Sequence, residues 1–148
     1  MREPAHRTEP VGKWISIIYR CGRAFFDRQL AGDDISGGHL PFIFTLYRRG
    51  GLSQHELSES IGFDKTTTAR VVKSLISLGY VSRTRDPEDG RVYRLFLTSE
   101  AKALLPRIEE CLAKWAEVLL AGFSPGERQE LEKFLRRMSE NAVASKGL

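Results

Sequence analysis

Residues 53–79 read SQHELSESIGFDKTTTARVVKSLISLG. Ser53 is a good helix N-cap, and Glu56 three residues later completes a capping box, in which each side chain satisfies the other's backbone amide. Leu52 and Leu57 flank that start as a hydrophobic staple. The spacing predicts a short helix from about Gln54 to Ser60, a turn at Ile61-Gly62-Phe63, and a second helix capped by Asp64. Gly79 stops that second helix after about Leu78. Helix, short glycine-containing turn, helix is the helix-turn-helix pattern.

The second helix carries the chemistry. With Arg70 at zero and a turn of ~100° per residue, Thr66, Thr67, Arg70, Lys73, Ser74 and Ser77 fall within about 60° of one line. Thr68, Val72 and Leu75 lie opposite and pack inward. Hydroxyls and cations without a carboxylate suit a helix lying against phosphates and base edges in a major groove, and Lys65 at its start adds a further cation. A merely solvated face is the alternative, but such faces ordinarily mix both signs of charge. No acidic residue occurs from Lys65 to Arg85, whereas Lys65, Arg70, Lys73, Arg83 and Arg85 are basic.

Immediately downstream, Val81-Ser82-Arg83-Thr84-Arg85 alternates as a strand, Asp86-Pro87-Glu88-Asp89-Gly90-Arg91 makes a charged reversal, and residues 91–97 alternate again. A lone hairpin is marginal in water. Packed on the two helices it becomes the wing of a winged helix, with Arg91 beside the tip placed for a minor groove. Asp86 and Asp89 are expected to orient Arg85 or Arg91 by salt bridge.

The ends of the chain are helical. Trp14, Ile17, Ile18, Cys21, Phe25 and Leu30 recur near helical spacing, and Leu40 to Arg49 forms a second helix closed by Gly50-Gly51. A helix from about Ser99 to Leu120 presents Leu104, Leu105, Ile108, Leu112, Trp115 and Leu119. Ser124, Pro125 and Glu127 then start a last helix carrying Leu131, Phe134, Leu135 and Met138. These stripes exceed what a small winged core can cover, so residues 11–35 and 99–148 are assigned to a twofold interface between two copies, against the alternative of an intrachain helical subdomain. Residues 1–10 are read as a mobile tail and residues 36–98 as the DNA-binding region, the 148 residues making one domain overall. The fold class is mainly α, with one small β-hairpin.

Formal charge is +4, and the excess sits at the start and in the middle of the chain. The apolar run Trp14 to Tyr19 is too short for a signal-peptide core or a membrane span, which makes the expectation a soluble, cytoplasmic protein. Cys21 and Cys111 show no metal-binding spacing; both read as reduced thiols, Cys21 buried and inert. His55-Glu56 lacks the second histidine of a metalloprotease motif, while His6 and His39 stand alone. No nucleophile elbow, phosphate loop or dinucleotide fingerprint occurs. We expect no enzymatic activity, no cofactor and no metal.

The runs Leu52 to Leu57, Asp64 to Val72 with Leu75, Gly79 to Arg83, and DPEDGR followed by LFLT resemble the multiple-antibiotic-resistance-regulator (MarR) family of winged-helix repressors. The likeness extends roughly from Val11 to Ala144. It implies a symmetric homodimer on pseudo-palindromic double-stranded DNA, released by a small phenolic or aromatic anion or by thiol oxidation. The family wing commonly carries two adjacent arginines, and Gly90 stands at the first of those positions here. An effector pocket on this pattern would draw on Trp14, Arg20, Arg23, His39 and Phe42, and a thiol switch would centre on Cys21 between Arg20 and Arg23. A winged-helix module that binds protein instead of DNA is the remaining alternative.

Overall fold

The computed structural model describes residues 10–145. The tail expected over residues 1–10, with His6, lies outside the described residues except for Pro10, which caps the first helix. The order is α1 (Val11–Gln29), a 3-10 turn (Ala31–Asp33), α2 (Leu40–Arg48), α3 (Gln54–Ile61), α4 (Lys65–Ser77), β1 (Val81–Arg85), β2 (Tyr93–Leu97), α5 (Ser99–Leu119) and α6 (Pro125–Ala144). This is the mainly helical winged helix-turn-helix expected. The chain forms two compact units whose boundary, between Cys111 and Leu112, falls within α5.

In the first unit the start signals work as the sequence predicts. Ser53 Oγ accepts from the Glu56 amide at 3.2 Å while Glu56 Oε2 accepts from the Ser53 amide at 2.7 Å, so α3 begins with a complete capping box. Gly62 ends α3 at φ 83°, left-handed backbone that costs a glycine little. Asp64 Oδ1 accepts from the Thr67 amide at 2.8 Å and starts α4. The inward residues of α4, Thr68, Val72 and Leu75, are all buried. The buried core of this unit also includes Phe42, Ile43, Leu46, Leu57, Leu105 and Ile108. Phe42 and Phe63 stack with ring centres 5.6 Å apart, which seats the turn of the motif on α2.

Strands β1 and β2 pair antiparallel with Val81 opposite Leu97 and Arg85 opposite Tyr93. Leu52 adds a bridge to Leu95: the Gly51 amide donates to Leu95 O at 2.8 Å and the Leu95 amide to Leu52 O at 2.9 Å. The second strand begins at Tyr93 and not at Arg91, because the Val92 amide folds back onto Asp89 O at 2.9 Å and keeps residues 89–92 in the turn. Val81, Leu95 and Leu97 are buried and anchor the hairpin.

The second unit starts with the end of α5 and contains α6. Ser124 and Glu127 form another capping box, with distances of 2.7 and 3.2 Å. Arg128 donates to Leu120 O at 3.3 Å and pairs with Glu117 at 3.2 Å, closing the turn between the two helices. Phe134, Leu135 and Met138 remain exposed, as do Val118 and Phe123. On α1, in the first unit, Val11, Trp14, Ile15, Ile18 and Tyr19 are also exposed. No described helix is long and apolar enough to cross a membrane.

Candidate nucleic-acid interface

The predicted polar side of α4 divides into an outward ridge and a flank. Lys65, Thr66, Arg70, Lys73 and Ser77 are exposed, whereas Thr67 and Ser74 are half-buried. The Thr67 hydroxyl donates to Asp64 Oδ2 at 2.7 Å. Those bonds to Thr67 hold the Asp64 carboxyl below its usual range, so the acid nearest the ridge is committed to the cap.

Ser74 is tied to α2. The Ser36 amide donates to His39 Nδ1 at 3.0 Å, which leaves the proton on Nε2 to face Ser74 Oγ at 3.1 Å. Burial pushes His39 below the ordinary histidine value, Arg23 pushes the same way, and Asp27 opposes them. Burial and Arg23 thus favour the neutral imidazole.

In the wing, Arg83, Arg85 and Arg91 are exposed. Arg83 lies over the Tyr93 ring at 4.7 Å and Arg85 at 5.7 Å, so one aromatic ring steadies two guanidinium groups. Asp89 orients Arg91 as predicted: its Oδ1 accepts from the Arg91 amide at 3.0 Å and from Nε at 3.3 Å. Asp86 does not orient Arg85 or Arg91. Its Oδ2 accepts from Arg94 Nε at 2.6 Å, and its Oδ1 accepts from the Glu88 and Asp89 amides at 2.8 and 3.1 Å. The Arg94 bond, followed by those two amides, holds the Asp86 carboxyl below its usual range. Arg94 also reaches Glu56 Oε2 at 2.7 Å. Sequence reading missed Arg94, whose alternation in β2 gave no hint of two carboxylate partners.

Three of the five candidate effector residues come together. A cavity of about 230 Å³ is lined by Arg23, His39, Phe42 and Phe63, and by Thr67, Arg70, Val71 and Ser74 from the flank of α4. Trp14 and Arg20 do not line it: Trp14 is exposed on α1, and Arg20 bonds Ser16 one turn back on the same exposed helix. The inward positions of α1 are Gly22 and Phe26, and periodicity alone did not say which side of α1 they would turn inward. Gly37 and Gly38 lie flat beneath Arg23, where an added Cβ would come within 3.1 Å of its side chain. Arg23 Nε is buried and finds no hydrogen-bond partner among the described residues. Cys21, expected buried, is exposed beside buried Gly22, and Cys111 is the buried thiol.

Chemically, the arrangement offers a ridge of cations and a threonine, an arginine held at the tip of a hairpin, and a small aromatic-walled cavity with guanidinium groups behind the ridge. Among the described residues no cluster of histidine, cysteine or carboxylate side chains could hold a metal ion. Comparison with known proteins agrees with this geometry. Residues 33–92 match the sequence model of the MarR family. The chain is 29% identical over 127 residues to the uncharacterized HTH-type transcriptional regulator YybA of Bacillus subtilis, covering 86% of this chain and 85% of that one. It is 38% identical to a MarR transcriptional regulator from Methanosarcina mazei Go1, with a TM-score of 0.86 over 90% of this chain and 96% of that one. The PcaV transcriptional regulator from Streptomyces coelicolor, solved in complex with its natural ligand, is 25% identical with a TM-score of 0.79, over 96% and 99% of the two chains.

Proposed function

The chain belongs to the MarR family of DNA-binding transcriptional regulators, and from that premise we propose that it acts as a homodimeric repressor, released when a small aromatic anion enters the cavity behind α4. The observation that carries this reading is the exposed, acid-free ridge of Lys65, Thr66, Arg70, Lys73 and Ser77 next to a wing that ends in Arg91. Thr66, Arg70 and Lys73 read base edges in the major groove, the two cations also neutralising the phosphates that flank it, Lys65 and Ser77 seat the helix on phosphate, and Thr67 and Ser74 hold its flank. Arg83 and Arg85 meet backbone phosphate beside the wing, and Arg91 enters the minor groove.

Dimerisation is supported in each unit by apolar side chains that the chain leaves in water: Val11, Trp14, Ile15 and Ile18 on α1, and Phe134, Leu135 and Met138 on α6. A twofold arrangement sets the two copies of α4 about 34–36 Å apart, one turn of DNA.

For release, the cavity suits one aromatic ring: its ~230 Å³ compares with roughly 150 Å³ for a cavity that takes benzene. Phe42, Phe63 and Val71 receive the ring, and the unpartnered Nε of Arg23 receives a carboxylate. Arg70 lines the same space, so an anion there competes with DNA for that guanidinium. PcaV, a relative, was solved with a natural ligand, which supports ligand control as a mode open to this fold.

Footprinting on the DNA flanking the protein's own gene tests the reading. We expect a pseudo-palindromic protected stretch that salicylate clears and peroxide leaves in place. Absence of protection on any DNA at low salt sinks the proposal in favour of a protein-binding module, and clearance by peroxide alone moves the switch to Cys21.

A further inference from the structure

We propose that Arg94 is a positioning residue for DNA binding, fixing the angle of the wing by joining Asp86, at the root of its tip, to Glu56, at the start of α3. The inference rests on the reading that the wing tip touches DNA.

A five-residue, two-stranded hairpin has little rigidity of its own. Its main-chain attachment to the preceding segment is the Gly51 and Leu52 bridge to Leu95, set back from the tip. Arg94 supplies a second attachment nearer the tip. It sits opposite Thr84 in the register, and its side chain is one-third exposed. Nε donates to Asp86 Oδ2 at 2.6 Å, and one terminal nitrogen donates to Glu56 Oε2 at 2.7 Å and more weakly to Gly51 O at 3.4 Å.

Each carboxylate also accepts from main-chain amides. Glu56 Oε2 takes the Ser53 amide in the capping box, so the helix-turn-helix holds one end of the bridge. Asp86 is only 12% exposed and takes the Glu88 and Asp89 amides, so the tip backbone hangs from the other end. Asp89 then grips Arg91. A continuous polar chain therefore runs from the start of α3 to the arginine assigned to the minor groove. A guanidinium can serve two acceptors from separate nitrogens in a fixed plane, whereas an ammonium cannot hold that geometry.

Charge separates this role from a direct phosphate contact. One guanidinium lies between two carboxylates, and the cluster as a whole is anionic. Neutralising either acid adds a unit of positive charge, which by Coulomb attraction alone tightens binding to DNA. Loss of a positioning bridge weakens it. The two explanations predict opposite signs.

The test uses the full-length protein and a footprinted operator. Glu56→Gln keeps an oxygen for the Ser53 amide, Asp86→Asn keeps the shape of the turn, and Arg94→Gln removes the guanidinium. Thermal melts establish that each variant is folded at the assay temperature. We expect each to bind the operator about tenfold more weakly. Arg91→Ala, combined with Arg94→Gln, supplies the decisive readout: a cost of about tenfold in the unaltered protein should shrink below about twofold once Arg94 is gone. If Arg91→Ala costs nothing even in the unaltered protein, the minor-groove reading of the wing fails. If it costs the same in both backgrounds, or Glu56→Gln and Asp86→Asn tighten binding, Arg94 has no positioning role while the wing reading stands.

Discussion

The number of exposed cations sets how steeply binding must respond to salt. Lys65, Arg70 and Lys73 on α4 and Arg83, Arg85 and Arg91 in the wing are all exposed, six per copy and twelve in the proposed dimer. Binding to duplex DNA weakens with a log–log slope of about −0.9 for each phosphate neutralised, so full engagement gives roughly −11 and half engagement roughly −5. With ~6 to 10 contacts made, affinity falls ~10³ to 10⁵-fold between 50 and 200 mM salt. Arg70→Ala removes two of the twelve and should make the slope shallower by about two while relaxing preference at the base pair it reads. Thr66→Ala, which carries no charge, should leave the slope alone and shift only base preference. Fluorescence anisotropy on a labelled operator at five salt concentrations measures all three slopes. A near-flat response in the unaltered protein, or identical slopes for it and Arg70→Ala, refutes the assignment of this ridge to phosphate and bases.

Three further outcomes follow from buried groups and backbone. Thr68 is fully buried, and its hydroxyl finds no hydrogen-bond partner among the described residues; Thr68→Val should raise stability by about 1 kcal/mol in urea melts, and a loss shows that the hydroxyl is satisfied. His39 has a folded value below its ordinary one, so the unfolded chain takes up the proton first. Its contribution is thus fully present above the ordinary histidine value and is lost as pH falls below it. Melts from pH 8 to 5 should decline more steeply for the unaltered protein than for His39→Gln, and parallel curves exclude this linkage. Gly51 has φ 81° with the Phe96 ring 3.3 Å from where a Cβ would stand. Gly51→Ala should cost at least about 1–2 kcal/mol through its backbone alone, and an unchanged melt shows that the segment relaxes at no cost.

What the sequence disclosed was local. The Ser53–Glu56 and Ser124–Glu127 capping boxes, the Asp64 cap and the Gly62 turn each depend on residues within four positions, and each is present with the expected bonds. The inward and outward sides of α4 were legible for the same reason, since 3.6 residues per turn fixes both once Val72 and Leu75 are taken as core. Partners distant in sequence were not legible. Asp86 chose Arg94, eight positions on, over its neighbours because β2 returns that side chain to the root of the turn, and Glu56 joined them across 38 positions. Of Trp14, Arg20 and Arg23 on α1, Arg23 alone lines the cavity, because a stripe of aromatic and cationic residues does not say which side packs. Gly22 was the clue, being a small residue in mid-helix that lets another element approach, and Phe26 one turn later shares its side. Gly37-Gly38 has no side chain to signal a partner, although its flatness is what seats Arg23.

Residue 70 is on the outward ridge of α4 and also on the wall of the cavity behind it. Under the proposed function, a substitution that adapts this position to a different base also remodels the chamber. Descendants of this chain could not then change promoter and inducer independently; a lineage that drifts toward new genes must renegotiate which metabolite it obeys.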